Sequence, residues 1–325
     1  MREVIIGGVG KYTPSKIITN EDLSEIIDTN DEWIYSRTGI KNRHVSIGED
    51  TSYMAAKASE KALNNANISA SEIELIIVAT CTPDMFTPST ACIVQGMIGA
   101  NNAVAFDISA ACSGFIYGLD IAKSLMKLNG YKHALVIGAE NLSKSINWDD
   151  RSTCVLFGDG AGAVVLSESK ECGLISSFYK SDGNKWNCIT IEGNDVDSPF
   201  VEDKTIRDSK LKMNGNEVFK FATSVIVSSI NKILQDNNLN LDDIDYIVPH
   251  QANVRIIDYA AKKLKVSVDK FYMNIENYGN TSAASIPIAL NEMYEKKLLK
   301  KDSKIILVGF GAGLTYGATL INWSI

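Results

Sequence analysis

Three residues of this 325-residue chain stand where acyl-transfer chemistry would need them: Cys112, His250 and Asn280. Cys112 follows the strand-like run Val104-Ala105-Phe106-Asp107-Ile108. It precedes Phe115, Ile116, Leu119, Ala122 and Met126, which recur at helical spacing until Asn129-Gly130 stops them. The cysteine therefore falls at the first turn of a buried helix. Free N–H groups and the positive end of the helix dipole favour a thiolate there, and the same N–H groups can receive a developing oxyanion. Ser109, Ala110, Ala111, Ser113 and Gly114 leave room for a substrate to approach. On position alone, an inert buried cysteine remains the alternative. The other cysteines, at 81, 92, 154, 172 and 188, form no C-x-x-C pair and have no histidine at metal-ligand spacing. Neither a disulfide framework nor a zinc site is expected, and most should be small buried residues.

Three histidines narrow the choice of partner. His44 lies in the polar stretch Lys41-Asn42-Arg43-His44, and His133 sits beside Lys132 before a strand; both read as structural or surface residues. His250 differs. It ends the apolar run Tyr246-Ile247-Val248-Pro249 and precedes Gln251-Ala252-Asn253, where Asn253 can cap a helix from Val254. Asn280 lies in Asn277-Tyr278-Gly279-Asn280-Thr281-Ser282-Ala283-Ala284-Ser285, ahead of another helical pattern. A turn or cap residue is the plainer alternative for it.

The elements that must position these residues alternate. Apolar runs at 75–79, 103–108, 134–138, 163–166, 246–249 and 305–308 read as buried strands, and helical patterns cover 52–65, 113–128, 216–235, 254–264 and 285–298. The chain also echoes itself. Glu72 to Val78 resembles Asp243 to Val248, and Ala134 to Gly138 resembles Ile305 to Gly309, both at an offset of 171. Ser109-Ala110-Ala111 recurs as Ser282-Ala283-Ala284, at 173. Chance likeness of buried strands would explain any one of these; three in order suggest a duplicated unit. The reading is a layered α/β/α/β/α body in two halves, 1–170 carrying the cysteine and 171–325 carrying the histidine and asparagine. Pseudo-twofold packing would bring the Cys112 and Asn280 turns together. Residues 180–212, rich in Asp, Asn, Ser and Lys, look like a surface excursion.

The composition, 45% hydrophobic and 22% charged, is that of an ordinary globular protein. No run of about 18 apolar residues suggests a membrane span. The first residues read as a strand rather than a signal peptide, so the cytosol is the expected compartment. A net charge of −7 and a pI near 5.2 argue against general nucleic-acid binding. One local basic cluster, Arg255, Lys262, Lys263 and Lys265, is either a site for an acidic partner or a solvated helix face.

Taken together, the motifs resemble those of the β-ketoacyl-acyl-carrier-protein synthase III family, initiating condensing enzymes of bacterial fatty-acid synthesis with the thiolase fold. The resemblance rests on Ala110-Ala111-Cys112-Ser113-Gly114-Phe115, Val248-Pro249-His250-Gln251-Ala252-Asn253 and Gly279-Asn280-Thr281-Ser282-Ala283-Ala284-Ser285. It extends to Asp31-Glu32-Trp33-Ile34, Arg37-Thr38-Gly39-Ile40, Phe157 to Gly162 and Gly311 to Gly317, in family order over nearly the whole chain.

The resemblance implies an acyl-CoA primer held on Cys112 as a thioester, then condensed with malonyl carried on acyl carrier protein, with loss of carbon dioxide, to give a 3-oxoacyl product. His250 and Asn280 would stabilise the enolate. No metal or redox cofactor is implied; the substrates are the CoA thioester and the carrier-bound malonyl group. The implied oxyanion hole uses the backbone N–H groups of Cys112 and Ala312, the latter standing where the family often has glycine. Trp33 and Arg151 match residues flanking the adenine of CoA, Arg37 one near its phosphates and Asn253 one near its pantetheine. Leu142 and Phe157 match the acyl pocket. Thr87 stands where the common pattern has a phenylalanine that caps this pocket from the partner subunit of a homodimer. The primer is accordingly expected to be acetyl or a short or branched acyl group, with a longer chain or a secondary-metabolite ketosynthase as the alternative. Lys220, Arg255, Lys262 and Lys263 match a patch that meets acyl carrier protein. A non-catalytic scaffold of the same fold would have lost the cysteine, histidine or asparagine. A dinucleotide site at Gly7-Gly8-Val9-Gly10 lacks the G-x-G-x-x-G spacing.

Overall fold

The computed structural model describes residues 3–201 and 206–325. Two sheets organise them. The first is built from β1 (Glu3–Tyr12), β2 (Leu75–Ala79), β3 (Val104–Ile108), β4 (His133–Glu140) and β5 (Gly160–Ser169), in the spatial order β1-β5-β4-β2-β3. The second holds β6 (Leu174–Ser181), β7 (Tyr246–Pro249), β8 (Lys304–Gly311) and β9 (Thr315–Asn322), in the order β7-β8-β9-β6. β2 runs parallel to both β3 and β4, and β7 runs parallel to β8; the remaining pairs are antiparallel.

The helices that matter here are α1 (Asp31–Thr38), α2 (Thr51–Ala66), α3 (Thr90–Ile98), α4 (Gly114–Asn129), α5 (Gly215–Asp236), α6 (Val254–Leu264) and α7 (Ser285–Glu295). Phe115, Ile116, Leu119, Ala122 and Met126 of α4 and Ile286, Ala289, Leu290 and Met293 of α7 share one core with strands of both sheets. Burial of side chains of this kind contributes about 1.5–3 kcal/mol each. Strand alternation divides the rest. Leu75 and Ile77 face that central layer, while Ile76 and Val78 face the outer layer of α2 and α3. α5 and α6 cover the far face of the second sheet. The result is the thiolase fold, five layers of α/β/α/β/α.

Three strands and the central helix recur at one offset. β1 and β6 start 171 residues apart, as do β2 and β7, β4 and β8, and α4 and α7. We infer from this a duplication with its boundary between β5 and β6, dividing the chain into 1–170 and 171–325. The third echo is corrected by one detail. The left-handed residue at the Cys112 turn is Ala111 (φ 49), and its match is Ser282 (φ 48), so this echo too lies at 171 and not 173.

Other expectations change as well. The run 103–108 forms an edge strand, with Val104 53% exposed, because β3 has a neighbour on one side only. Gly8 and Gly10 serve packing: a Cβ at either would come within 2.4 Å of a carbonyl oxygen of α2. Of the six cysteines, Cys154 and Cys188 are buried and Cys92 and Cys172 exposed, while Cys81 and Cys112 line a cavity. Residues 180–212, of which 202–205 lie outside the described residues, do more than cross the surface. Ile189–Thr190 pairs with Lys212–Met213, and Ile189, Ile191, Leu211 and Met213 wall the same cavity. Among the described residues, no helix is long and apolar enough to cross a membrane.

Candidate active site

Cys112 sits in a short 3-10 turn, Ala111–Ser113, between β3 and α4. The asparagine turn, Ser282–Ala284, precedes α7 in the same way. Each half's turn is seated on the other half's strand. A Cβ at Gly138 of β4 would lie 2.1 Å from the carbonyl oxygen of Ala283. A Cβ at Gly311, at the end of β8, would lie 2.7 Å from the nitrogen of Cys112 and 3.2 Å from its sulfur. The repeat thus brings the two turns against each other at the centre of the molecule.

There Cys112, His250 and Asn280 line one cavity of about 510 Å³. His250 is buried at the end of β7, its Nδ1 2.8 Å from the Ser285 hydroxyl. That hydroxyl oxygen also accepts the Gln251 N–H, at 3.3 Å; in the tautomer where Ser285 donates to Nδ1, Nε2 is the ring's N–H donor. Burial holds the imidazole down to about 3, so it is neutral at physiological pH. Asn280 is 7% exposed, and its Oδ1 accepts the Ser282 N–H at 2.9 Å. That bond orients the amide and leaves Nδ2 as its available donor. The site therefore offers two neutral donors beside one sulfur.

The thiol departs from the expectation of a thiolate. Burial pushes Cys112 up to about 12; the Ser282 hydroxyl pulls it down and the nearby Glu140 charge pushes it up. Desolvation outweighs the field of the helix end, and the sulfur is protonated at neutral pH. Glu140 and Ser282 went unnoticed in the sequence. Glu140 falls just past the strand-like run 134–138, and only the position of Ser282 beside Asn280 in a turn motif hinted at a role.

Ala312 opens the 3-10 turn Ala312–Leu314 and lines the cavity with Cys112. First-turn N–H groups such as these two have no partner within their own helix. Ala312 lies outside the positive-φ region and alanine costs nothing in backbone there, whereas Gly313 has φ +123.

Trp33 and Arg37 of α1 stand on the cavity wall with Asn253. Asn253 caps α6 by accepting the Arg255 N–H at 2.9 Å and donates to the Arg37 carbonyl, also at 2.9 Å. Arg151 is not on that wall, but its guanidinium lies 4.7 Å from the Trp33 ring, as does that of Arg37. The indole thus has two cations against it. Leu142 and Phe157 are buried on the same wall. Thr87 is elsewhere: it sits in an exposed loop after β2 and does not touch the cavity of its own chain. Arg255, Lys262 and Lys263 are exposed on α6, whose inner face buries Ile256, Ile257, Ala260 and Ala261. Lys220 is exposed on α5 and pairs with Glu217 at 3.1 Å.

The model of the family described as 3-oxoacyl-[acyl-carrier-protein (ACP)] synthase III matches residues 106–183, and that of its C-terminal part matches 234–323. A β-ketoacyl-[acyl-carrier-protein] synthase III of Clostridium novyi is 58% identical over 324 residues, covering 100% of both chains. One from Clostridium acetobutylicum is 55% identical, also covering 100% of both. Among solved structures, the 3-oxoacyl-[acyl-carrier-protein] synthase III of Aquifex aeolicus superposes with a TM-score of 0.92 at 43% identity, covering 99% of this chain and 100% of that one. The priming β-ketosynthase of the R1128 polyketide biosynthetic pathway superposes at 0.91 with 34% identity, covering 99% and 97%.

Proposed function

This chain belongs to the β-ketoacyl-[acyl-carrier-protein] synthase III family, and from that membership we propose that it condenses an acyl-CoA primer with malonyl-acyl carrier protein to start a fatty acid. One observation carries the reading: a cysteine, a neutral histidine and an oriented asparagine share a single cavity.

In the first half-reaction the Cys112 sulfur attacks the primer's thioester carbonyl, the CoA sulfur leaves, and the acyl group stays on Cys112. The backbone N–H groups of Cys112 and Ala312 receive the oxyanion. Trp33 and Arg151 hold the adenine, Arg37 the phosphates and Asn253 the pantetheine. The acyl chain lies toward Leu142 and Phe157. In the second half-reaction malonyl-acyl carrier protein enters. His250 and Asn280 donate to its thioester carbonyl, carbon dioxide departs, and the electron pair it leaves forms a bond to the acyl carbon. Expulsion of the Cys112 sulfur releases 3-oxoacyl-acyl carrier protein. A neutral histidine suits this step, because a donor that keeps its proton stabilises the enolate oxygen without quenching the carbanion. The chemistry needs no resident cofactor.

Acyl carrier protein, an acidic partner, would dock on Arg255, Lys262 and Lys263, with Lys220 at the side. The free edge of β3 supports a homodimer, in which Thr87 would meet the acyl pocket of the partner. A small residue there favours a primer longer than acetyl. The test is intact-mass analysis after incubation with acetyl-, butyryl-, isobutyryl- and octanoyl-CoA, with Cys112→Ser as control. An adduct lost in the control supports the acyl-enzyme and its length reports the pocket; no adduct with any primer sinks the mechanism.

A further inference from the structure

The nucleophile must lose a proton when it is acylated, and the residues already assigned do not take it: neutral His250 is a donor in the second half-reaction. Behind the sulfur stands a group the proposed mechanism leaves idle. Glu140, at the end of β4, has no solvent exposure. Its Oε2 accepts from the Thr82 hydroxyl at 2.6 Å and the Cys81 N–H at 3.1 Å, and its Oε1 accepts from the Ser282 hydroxyl at 2.9 Å. The Thr82 oxygen itself accepts the Asn141 N–H at 2.8 Å, which commits its hydrogen to the carboxyl group. Glu140 is therefore surrounded by donors, the surroundings of an ionised carboxylate.

Ser282 is the link. Its backbone N–H orients Asn280, while its hydroxyl donates to Glu140 from a turn packed against the Cys112 turn, and Ser282 and Cys112 line the same cavity. With its hydrogen given to Glu140, the Ser282 oxygen has lone pairs left for the Cys112 S–H; once the thiolate forms, the same hydroxyl can turn to donate to it, which is how it pulls the thiol down.

We propose that Ser282 and Glu140 form a proton relay for Cys112 in the acylation step, with Ser282 the catalytic contact and Glu140 a positioning residue and proton store acting through it. The inference rests on the acyl-enzyme reading above. As the sulfur bonds to the acyl carbon, the S–H hydrogen passes to the Ser282 oxygen and the Ser282 hydrogen passes to Glu140. The carbon–sulfur bond of the acyl-CoA breaks and the CoA thiolate leaves with its electron pair. Glu140, now protonated, returns the hydrogen by the same path when the Cys112 sulfur is expelled in the second half-reaction, so each turnover balances. The charged and titratable groups facing the relay are Cys81, Cys112, His250 on the cavity side, and Lys144, whose ammonium donates to the Thr82 and Pro83 carbonyls.

The experiment is the pH profile of the single-turnover acylation rate, read by intact mass, for the wild type, Ser282→Ala and Glu140→Gln. Alanine fits the left-handed backbone at 282, as Ala111 does at the matching position. Thermal melts report whether Glu140→Gln folds, and Ser282→Ala keeps the test alive if it does not. Without the relay the thiolate must form by loss of its proton to bulk water. The expected result is a loss of about a hundredfold at pH 7, recovering about tenfold per pH unit toward alkaline pH, while the wild type stays nearly flat. Alkylation of Cys112 by iodoacetamide should show the same split. Folded variants with the wild-type rate and profile, or variants slowed equally at every pH, would overturn the relay. If wild-type Cys112 takes no acyl group but the alkylation split appears, the acyl-enzyme reading fails and with it the relay's role in acylation, while the split still shows that Ser282 and Glu140 take the Cys112 proton.

Discussion

Gly311→Ala should disable the nucleophile without replacing any reacting group. The backbone at Gly311 is extended (φ −175), a conformation any residue adopts, so the substitution carries no backbone strain. It carries a packing cost instead. The added methyl group would lie 2.7 Å from the Cys112 nitrogen, 2.9 Å from its Cβ and 3.2 Å from its sulfur. Ordinary contact for carbon is about 3.5–4.0 Å, so the Cys112 turn must retreat by roughly 0.5–1 Å. That turn is itself wedged between β8 and the Ser282–Ala284 turn. Overpacking of this kind costs about 1–3 kcal/mol, and a shift of about 1 Å in a reacting group costs on the order of a hundredfold in rate. The control is Gly96→Ala, on the exposed face of α3, where an added Cβ meets nothing within 4 Å. It should gain up to about 1 kcal/mol in stability and leave acylation alone. The assay pairs thermal melts with single-turnover acylation by intact mass. If Gly311→Ala melts and acylates like the wild type, the seat on β8 does not hold the sulfur in place.

Three further outcomes are expected. Because His250 is held at about 3 when folded against 6.5 as a free group, the unfolded chain alone binds this proton as pH falls below 6.5. Stability from this group is therefore complete above pH 6.5 and is lost on acidification, by about 2 kcal/mol at pH 5. His250→Gln should flatten the melting temperature between pH 6.5 and 5, and an unchanged slope would contradict the neutral imidazole. Arg151→Ala, which removes one of the two cations against Trp33, should raise the KM for acyl-CoA about tenfold and spare iodoacetamide alkylation of Cys112; an equal loss in both would make Arg151 a structural residue. Reversing charge on α6 with Lys262→Glu and Lys263→Glu should raise the KM for malonyl-acyl carrier protein most at low salt, since screening weakens such contacts. A salt-independent change, or none, would move the docking surface elsewhere.

How much of this was legible beforehand follows from the range of the forces involved. Periodicity is local, so the strand runs 75–79 and 246–249 and the α4, α5 and α6 patterns were readable to within a residue or so. The repeat at 171 was readable because each half folds by the same local rules. β3 was misread as fully buried, since a six-residue run broken only by Asp107 cannot say how many neighbours its strand will have.

The sequence alone determined the chemistry on offer: one cysteine before a buried helix, one histidine at a strand end and one asparagine in a glycine turn. Tertiary structure decided what that chemistry is worth. Glu140 and Ser282 are 142 residues apart and meet only because each half's turn rests on the other half's strand. The protonation of Cys112 and His250 depends on desolvation, which sums over atoms from both sheets within a few ångströms. Arg151 reaches Trp33, and Thr87 leaves the cavity of its own chain, for the same reason. Residue types and local spacing travel with the chain, but charge state and distance belong to the packed interior.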